Sequence, residues 1–140
     1  MVVGWAMADH MRASLCVKAL EMARDSGHLR ANGIFHSGHG AQYSSREMGK
    51  WCAGNNVRQS MGAAGVCWDC AVAESVFSSL KNEFYHHYSF DTRQDARRAT
   101  MHYIEAFYNR WRPHTHNDRL PPATAMAKFN TQNQQQLAAA

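Results

Sequence analysis

The chain has 140 residues, of which 45% are apolar and 19% charged, and a net charge of +4 before its nine histidines are counted. That length suits one domain able to bury roughly 68% of its unfolded surface, and the composition is ordinary for a globular protein. No stretch approaches the roughly 20 apolar residues of a membrane span, and no cationic segment leads into an apolar run at the N-terminus, so a cytoplasmic protein is expected.

Val2, Val3, Trp5 and Met7 form a short apolar run that reads as a strand, and Asp9 just past it is placed to cap the following helix. Leu15, Ala19, Met22 and Ala23 recur at helical spacing over 11–25, and Gly27 is a good stop. Gly33-Ile34-Phe35-His36 predicts a short buried strand. Ser44 with Glu47 three residues later fits a capping box, ahead of a helix burying Met48, Trp51 and Cys52 and ending at Gly54. Residues 57–61 alternate as a second short strand, and Gly62-Ala63-Ala64-Gly65 is a flexible loop.

The chain is organised around residues 65–84. Asp69 is placed to accept from the first amides of a helix and to favour its positive end. Val72, Val76, Leu80 and Phe84 recur every four residues with Phe77 beside them, which predicts one stripe facing a core. Glu74 lies near the border of that stripe, and Lys81 follows it by seven positions on nearly the same face. Such a pair suits a metal and a phosphate side by side, or else two solvated charges. Cys67-Trp68-Asp69-Cys70 is formally a Cys-x-x-Cys, but no second pair at zinc spacing follows, and Cys16, Cys52, Cys67 and Cys70 are expected to stay reduced.

Thr92 with Asp95 fits another capping box. The helix behind it carries Ala96, Ala99, Tyr103, Phe107 and Trp111 along one expected core side, and Pro113 closes it. Arg93, Arg97, Arg98, Arg110 and Arg112 decorate its other faces, either as a solvated basic surface or as contacts to DNA. Arg110-Trp111-Arg112-Pro113-His114 is the better nucleic-acid candidate, because cations interleaved with an aromatic grip phosphate and stack a base. Eleven of the fifteen cations are arginine, whose fork matches two phosphate oxygens at once. From Thr131 the chain is glutamine-rich, a polar tail at 131–140 that either frays or forms a marginal helix. Helices alternating with short strands over 1–130 indicate an α/β architecture with a small sheet.

The stretch Cys67-Trp68-Asp69-Cys70 leading to Glu74-Ser75 and then Leu80-Lys81 resembles the last block of insertion-sequence transposases with a retroviral-integrase-type core. Phe35-His36-Ser37, Gly40, Gln42-Tyr43, Tyr103-Ile104-Glu105, Phe107-Tyr108-Asn109, Arg110-Trp111-Arg112-Pro113-His114 and Leu120-Pro121-Pro122-Ala123 carry the resemblance onward in the right order. It implies a ribonuclease H-like fold with a small mixed sheet flanked by helices. It also implies three acids, Asp, Asp and Glu, that bind magnesium for DNA strand cleavage and joining.

Glu74 fits the third, catalytic and metal-binding position, and Lys81 fits a cation that contacts DNA phosphate. Arg110, Arg112 and His114 are the remaining nucleic-acid-binding candidates. The second acid is expected at position 38, where the chain has glycine; thirty-five residues separate Gly38 from Glu74, the family's spacing. The strand at Val2–Met7 matches the third of a meander whose first strand bears the first aspartate, so an N-terminally truncated core is expected, inactive by itself, binding no magnesium productively and poorly soluble. Its partners would be DNA and intact transposase subunits. The alternative is a DNA-binding or protein-interaction module that modulates an intact transposase.

Overall fold

Alanine and leucine hold Ala13–Asp25 in the first helix, α1, which ends where Ser26 returns its N–H to Met22 and Gly27 takes a left-handed φ of 76°. Its N-cap is Arg12, with no side-chain cap bond, so Asp9 stands three residues short of the capping position expected for it. β1 follows at Ile34–Ser37, α2 at Arg46–Gly54, β2 at Arg58–Met61 and α3 at Ala71–Glu83. The computed structural model describes residues 1–62 and 71–138. The expected Asp69 cap, the Cys67–Cys70 pair and most of the glycine loop lie outside the described residues.

β1 and β2 run parallel, Ile34 opposite Arg58 and Ser37 opposite Met61, with α2 as the crossover that parallel pairing requires. Among the described residues the sheet is therefore two-stranded and parallel rather than mixed. Val2–Met7 is not a strand. Its backbone turns toward a helix instead: the Trp5 N–H lies 3.4 Å from Met22 Sδ, and Gly4 approaches Ala19 so closely that a Cβ would collide with its carbonyl oxygen. A strand exists only where a neighbouring ladder takes its amides, and those of Val2 and Trp5 go to side chains instead.

α2 is capped by Ser45, one residue beyond the Ser44 expected, because the Ser44 N–H closes a turn onto Gly40. Ser45 Oγ accepts from the Met48 N–H at 3.1 Å. The inward face of α2 then delivers Met48, fully buried at 0% exposure, and Cys52 onto Val57. Cys16, Val17 and Leu20 of α1, with Leu29, Phe35, Tyr43 and Trp51, surround them. Burial pushes the thiols of Cys16 and Cys52 up from their ordinary pKa. The stripe expected on α3 is not a core face: Val72 is 84% and Phe77 61% exposed, Val76 and Leu80 are half-buried, and only Phe84 beyond the helix is buried. Periodicity specifies a face but not a partner for it, and no α3 residue is buried among the described residues.

The chain divides into two compact units, Val3–His86 and a second made of His87–Ala140 with Met1–Val2. In the second, Thr92 caps α4 (Arg93–His102) as expected, its Oγ1 accepting from the Asp95 N–H at 3.1 Å. The Thr92 hydroxyl and then the Arg98 guanidinium hold the Asp95 carboxyl below the ordinary range. The stability this contributes is present above the unfolded pKa and is lost as pH falls through the folded one.

α4 continues as a π-helical turn, Tyr103–Tyr108, in which the Asn109 N–H bonds Ile104 O at 3.0 Å and the Arg112 N–H bonds Phe107 O at 2.9 Å. One extra residue per turn shifts the phase of everything after it. Tyr103, Ile104, Tyr108 and Asn109 turn inward. Phe107, 42% exposed, and Trp111, 74% exposed, turn outward, which corrects the core side expected from a regular helix. Buried Asn109 pairs with both backbone groups of Val2: Oδ1 accepts from its N–H at 2.9 Å and Nδ2 donates to its carbonyl at 2.8 Å. The Asn109 carbonyl in turn accepts from Ala123 as α5 (Pro122–Ala138) begins, and that helix runs on through the glutamine-rich stretch.

Met48→Ala should lower stability by about 3 kcal/mol in urea unfolding, the usual scale for an emptied core site, while Phe77→Ser should change it by less than about 0.5 kcal/mol. Asn109→Ala should abolish hydrogen-exchange protection of the Val2 amide and leave that of Met48 in place.

Candidate functional site

Ligands of open α/β sheets gather beyond the carboxyl ends of the strands, and β1 ends there on Ser37, with Gly38 the next residue. Ser37 is buried and donates to the Gly38 carbonyl at 3.2 Å, so the backbone is fixed where a side chain would be presented. Gly38 presents none. His36 is exposed, and its Nδ1 sits 3.1 Å from Ser60 Oγ, its partner across the ladder. His39 places Nε2 against the Gly62 carbonyl at the end of β2. Both imidazoles are thus tied to β2 or the residue after it.

Glu74 stands exposed in the first turn of α3, where its charge is favoured by the positive end of the helix. Lys81 stands exposed in the last turn, favoured by the opposite end. Seven residues place it about 10 Å further along the axis, enough to span from a metal-binding carboxylate to an adjacent phosphate. Among the described residues no three histidines, cysteines, aspartates or glutamates are grouped to hold a metal ion. Magnesium requires several hard oxygen ligands, and a two-ion centre more still. Just beyond β1, Gly38 offers no oxygen side chain to such an ion, and Glu74 is a single exposed carboxylate on α3.

The second unit carries a different arrangement. The end of the π turn sets the Tyr108 ring against two neighbours, His114 edge-on at 4.9 Å and the Arg112 guanidinium 5.5 Å from its centroid. Arg112 Nη1 lies 3.4 Å from His114 Nε2. The ring supports the cation by a π contact and leaves less side-chain freedom to be lost when the fork meets an anion. Arg110 is exposed beside them. The loop beyond closes on itself: the Arg119 N–H returns to the His114 carbonyl at 3.0 Å, with Asp118 and Arg119 both left-handed at φ 54° and 62°. Non-glycine residues hold that conformation only where the surroundings impose it.

Of the residues singled out from the sequence, Arg112 and His114 are brought together, Arg110 flanks them, and Glu74 shares α3 with Lys81. Tyr108 was missed as their support. Its signal was present, since it precedes Arg112 by four residues, but a regular helix would have pointed Phe107 inward in its place.

Two family models, each described as an integrase core domain, match residues 1–67 and 55–122, together running through the first 122 residues. Transposase InsF for insertion sequence IS3A of Escherichia coli K12 is 40% identical over 121 residues, covering 86% of this chain and 42% of that protein. The insertion element IS600 uncharacterized 31 kDa protein of Shigella sonnei is 36% identical over 129 residues, covering 92% of this chain and 47% of its own length. The chain therefore spans less than half the length of these curated relatives. Among solved structures, a chain of the simian T-cell lymphotropic virus intasome, imaged by cryo-electron microscopy with PP2A regulatory subunit B56 gamma, superposes with a TM-score of 0.66. It is 14% identical, and the match covers 84% of this chain and 41% of that one, a likeness of fold of the ribonuclease H type.

Proposed function

The chain belongs to the integrase core domain family, and from that premise we propose that it is a cytoplasmic transposase-core segment that binds DNA without joining it. One observation carries this reading: the residue that follows β1, where the family's second metal-binding acid is expected, is Gly38, which has no oxygen ligand to offer beside a carboxylate such as Glu74. Strand transfer by clustered carboxylates and two divalent ions needs each oxygen ligand in place. Nothing in the chemistry of an imidazole at His36 replaces a hard oxygen for magnesium.

DNA contact does not depend on that centre. Arg112, poised on Tyr108 next to His114, and exposed Arg110 and Lys81 supply the cations that neutralise phosphates. A segment that keeps these contacts while lacking the metal ligands would compete with an intact transposase for DNA, or join its assembly as a silent subunit. The Tyr108–Arg112–His114 arrangement supports this second, modulatory reading, because it needs no acid.

In a strand-transfer assay with magnesium or manganese, the chain should give no joined product above a protein-free control. A version extended by the corresponding upstream strands of the Escherichia coli relative and carrying Gly38→Asp should give product. Joining by the unaltered chain would overturn the inactive reading. Duplex DNA affinity should fall steeply with salt, and Lys81→Ala or Arg112→Ala should each weaken it and reduce the salt slope by about 1. Affinities indifferent to both substitutions would remove these residues from the interface.

A further inference from the structure

The π turn that buries Tyr108 sends Phe107 and Trp111 to the surface one helical turn apart, joined by the Trp111 N–H to Phe107 carbonyl bond of 2.8 Å. Both rings therefore share one face of the helix end. A largely exposed tryptophan beside a partly exposed phenylalanine leaves a flat apolar surface in water, and such surfaces mark contacts with something else.

Charge says what that something is. Between Phe107 and Arg119 the sequence places three arginines, Arg110, Arg112 and Arg119, against a single acid, Asp118, with His114 and His116 in the same stretch. Arg110 and Arg119 are exposed on either side of the indole in sequence, and Arg112 is held on Tyr108. Two exposed rings in a stretch rich in cations are too narrow a surface for a hydrophobic protein partner and suit an anionic polymer that also offers flat faces. Inside duplex DNA the base faces are stacked on one another and closed to an indole, and at a blunt end the terminal base is held in its pair. An unpaired base exposes a face.

We propose that Trp111, with Phe107 beside it, is a stacking platform for an unpaired base at a DNA end, and that Arg110 and Arg119 take the flanking phosphates. This rests on the DNA-binding reading above and adds which structural state of the DNA the second unit selects: a frayed or overhanging terminus in preference to a closed one.

The test compares fluorescently labelled duplexes, one blunt and one with a short 3′ overhang carrying 2-aminopurine, against the full chain at fixed salt. The overhang duplex should bind about tenfold more tightly than the blunt one, and the 2-aminopurine should be quenched on binding as a base stacked on an indole is. Trp111→Ala should bring the ratio of the two affinities close to one and abolish the quench, while Trp111→Phe should keep most of both. Equal affinity of the unaltered chain for the two duplexes, or a ratio that survives Trp111→Ala, would overturn this proposal and leave the DNA-binding reading standing. Failure to bind either duplex would overturn both.

Discussion

Four residue pairs hold the first unit in order: Ile34 with Arg58, Phe35 with Gln59, His36 with Ser60 and Ser37 with Met61. A parallel ladder of that length is weak by itself and persists because α2 must cross over it and bury Met48 and Cys52 on the way. The crossover fixes the register, and the register fixes which residue stands at the carboxyl end of β1. That Ser37 takes that end, with Gly38 just beyond it, is thus a consequence of core packing several residues away. The vacant side-chain position follows from the pairing, since a shift of one residue would carry Phe35 out of the cluster around Met48.

The second unit is governed by a different constraint. Six residues of π-helix, Tyr103–Tyr108, accommodate one residue more than a regular turn would, and the accommodation lets adjacent Tyr108 and Asn109 both turn inward. Tyr108 becomes the surface on which Arg112 and His114 are arranged, while Asn109 holds Val2 and the start of α5. The setting of Arg112 and His114 on one ring and the anchoring of Val2 are therefore two products of the same irregularity. Irregular helical turns of this kind are costly and recur where function needs a side chain re-aimed.

Much of this was legible in the residues. The 3.6-residue spacing of Leu15, Ala19 and Ala23 marked α1, the Thr92–Asp95 pair marked the start of α4, and the alternation of 57–61 marked β2. That position 38 is a glycine is a fact of the sequence itself. Three things were not legible, each for a physical reason. The π turn leaves no trace in periodicity, because Tyr103, Phe107 and Trp111 fit a regular helix equally well until Tyr108 competes for the same interior. The run at Val2–Met7 has strand composition, but composition does not supply a ladder partner, and Gly4 allows a closer approach to α1 instead. The row on α3 has the amphipathic spacing of a core helix, and spacing cannot say whether anything lies opposite Val72 and Phe77.

The carboxamide of Asn109 treats Val2 as if it were an opposite residue in a ladder, taking its N–H and its carbonyl and ignoring its side chain. Specificity at this joint is consequently one-sided. Nearly any amino acid with an amide hydrogen serves at position 2, and proline is the one that does not. At position 109 no shorter, longer or purely accepting group reproduces the same two bonds from the same place. Variation is therefore cheap at one end of the clasp and forbidden at the other, even though each end makes the same pair of contacts.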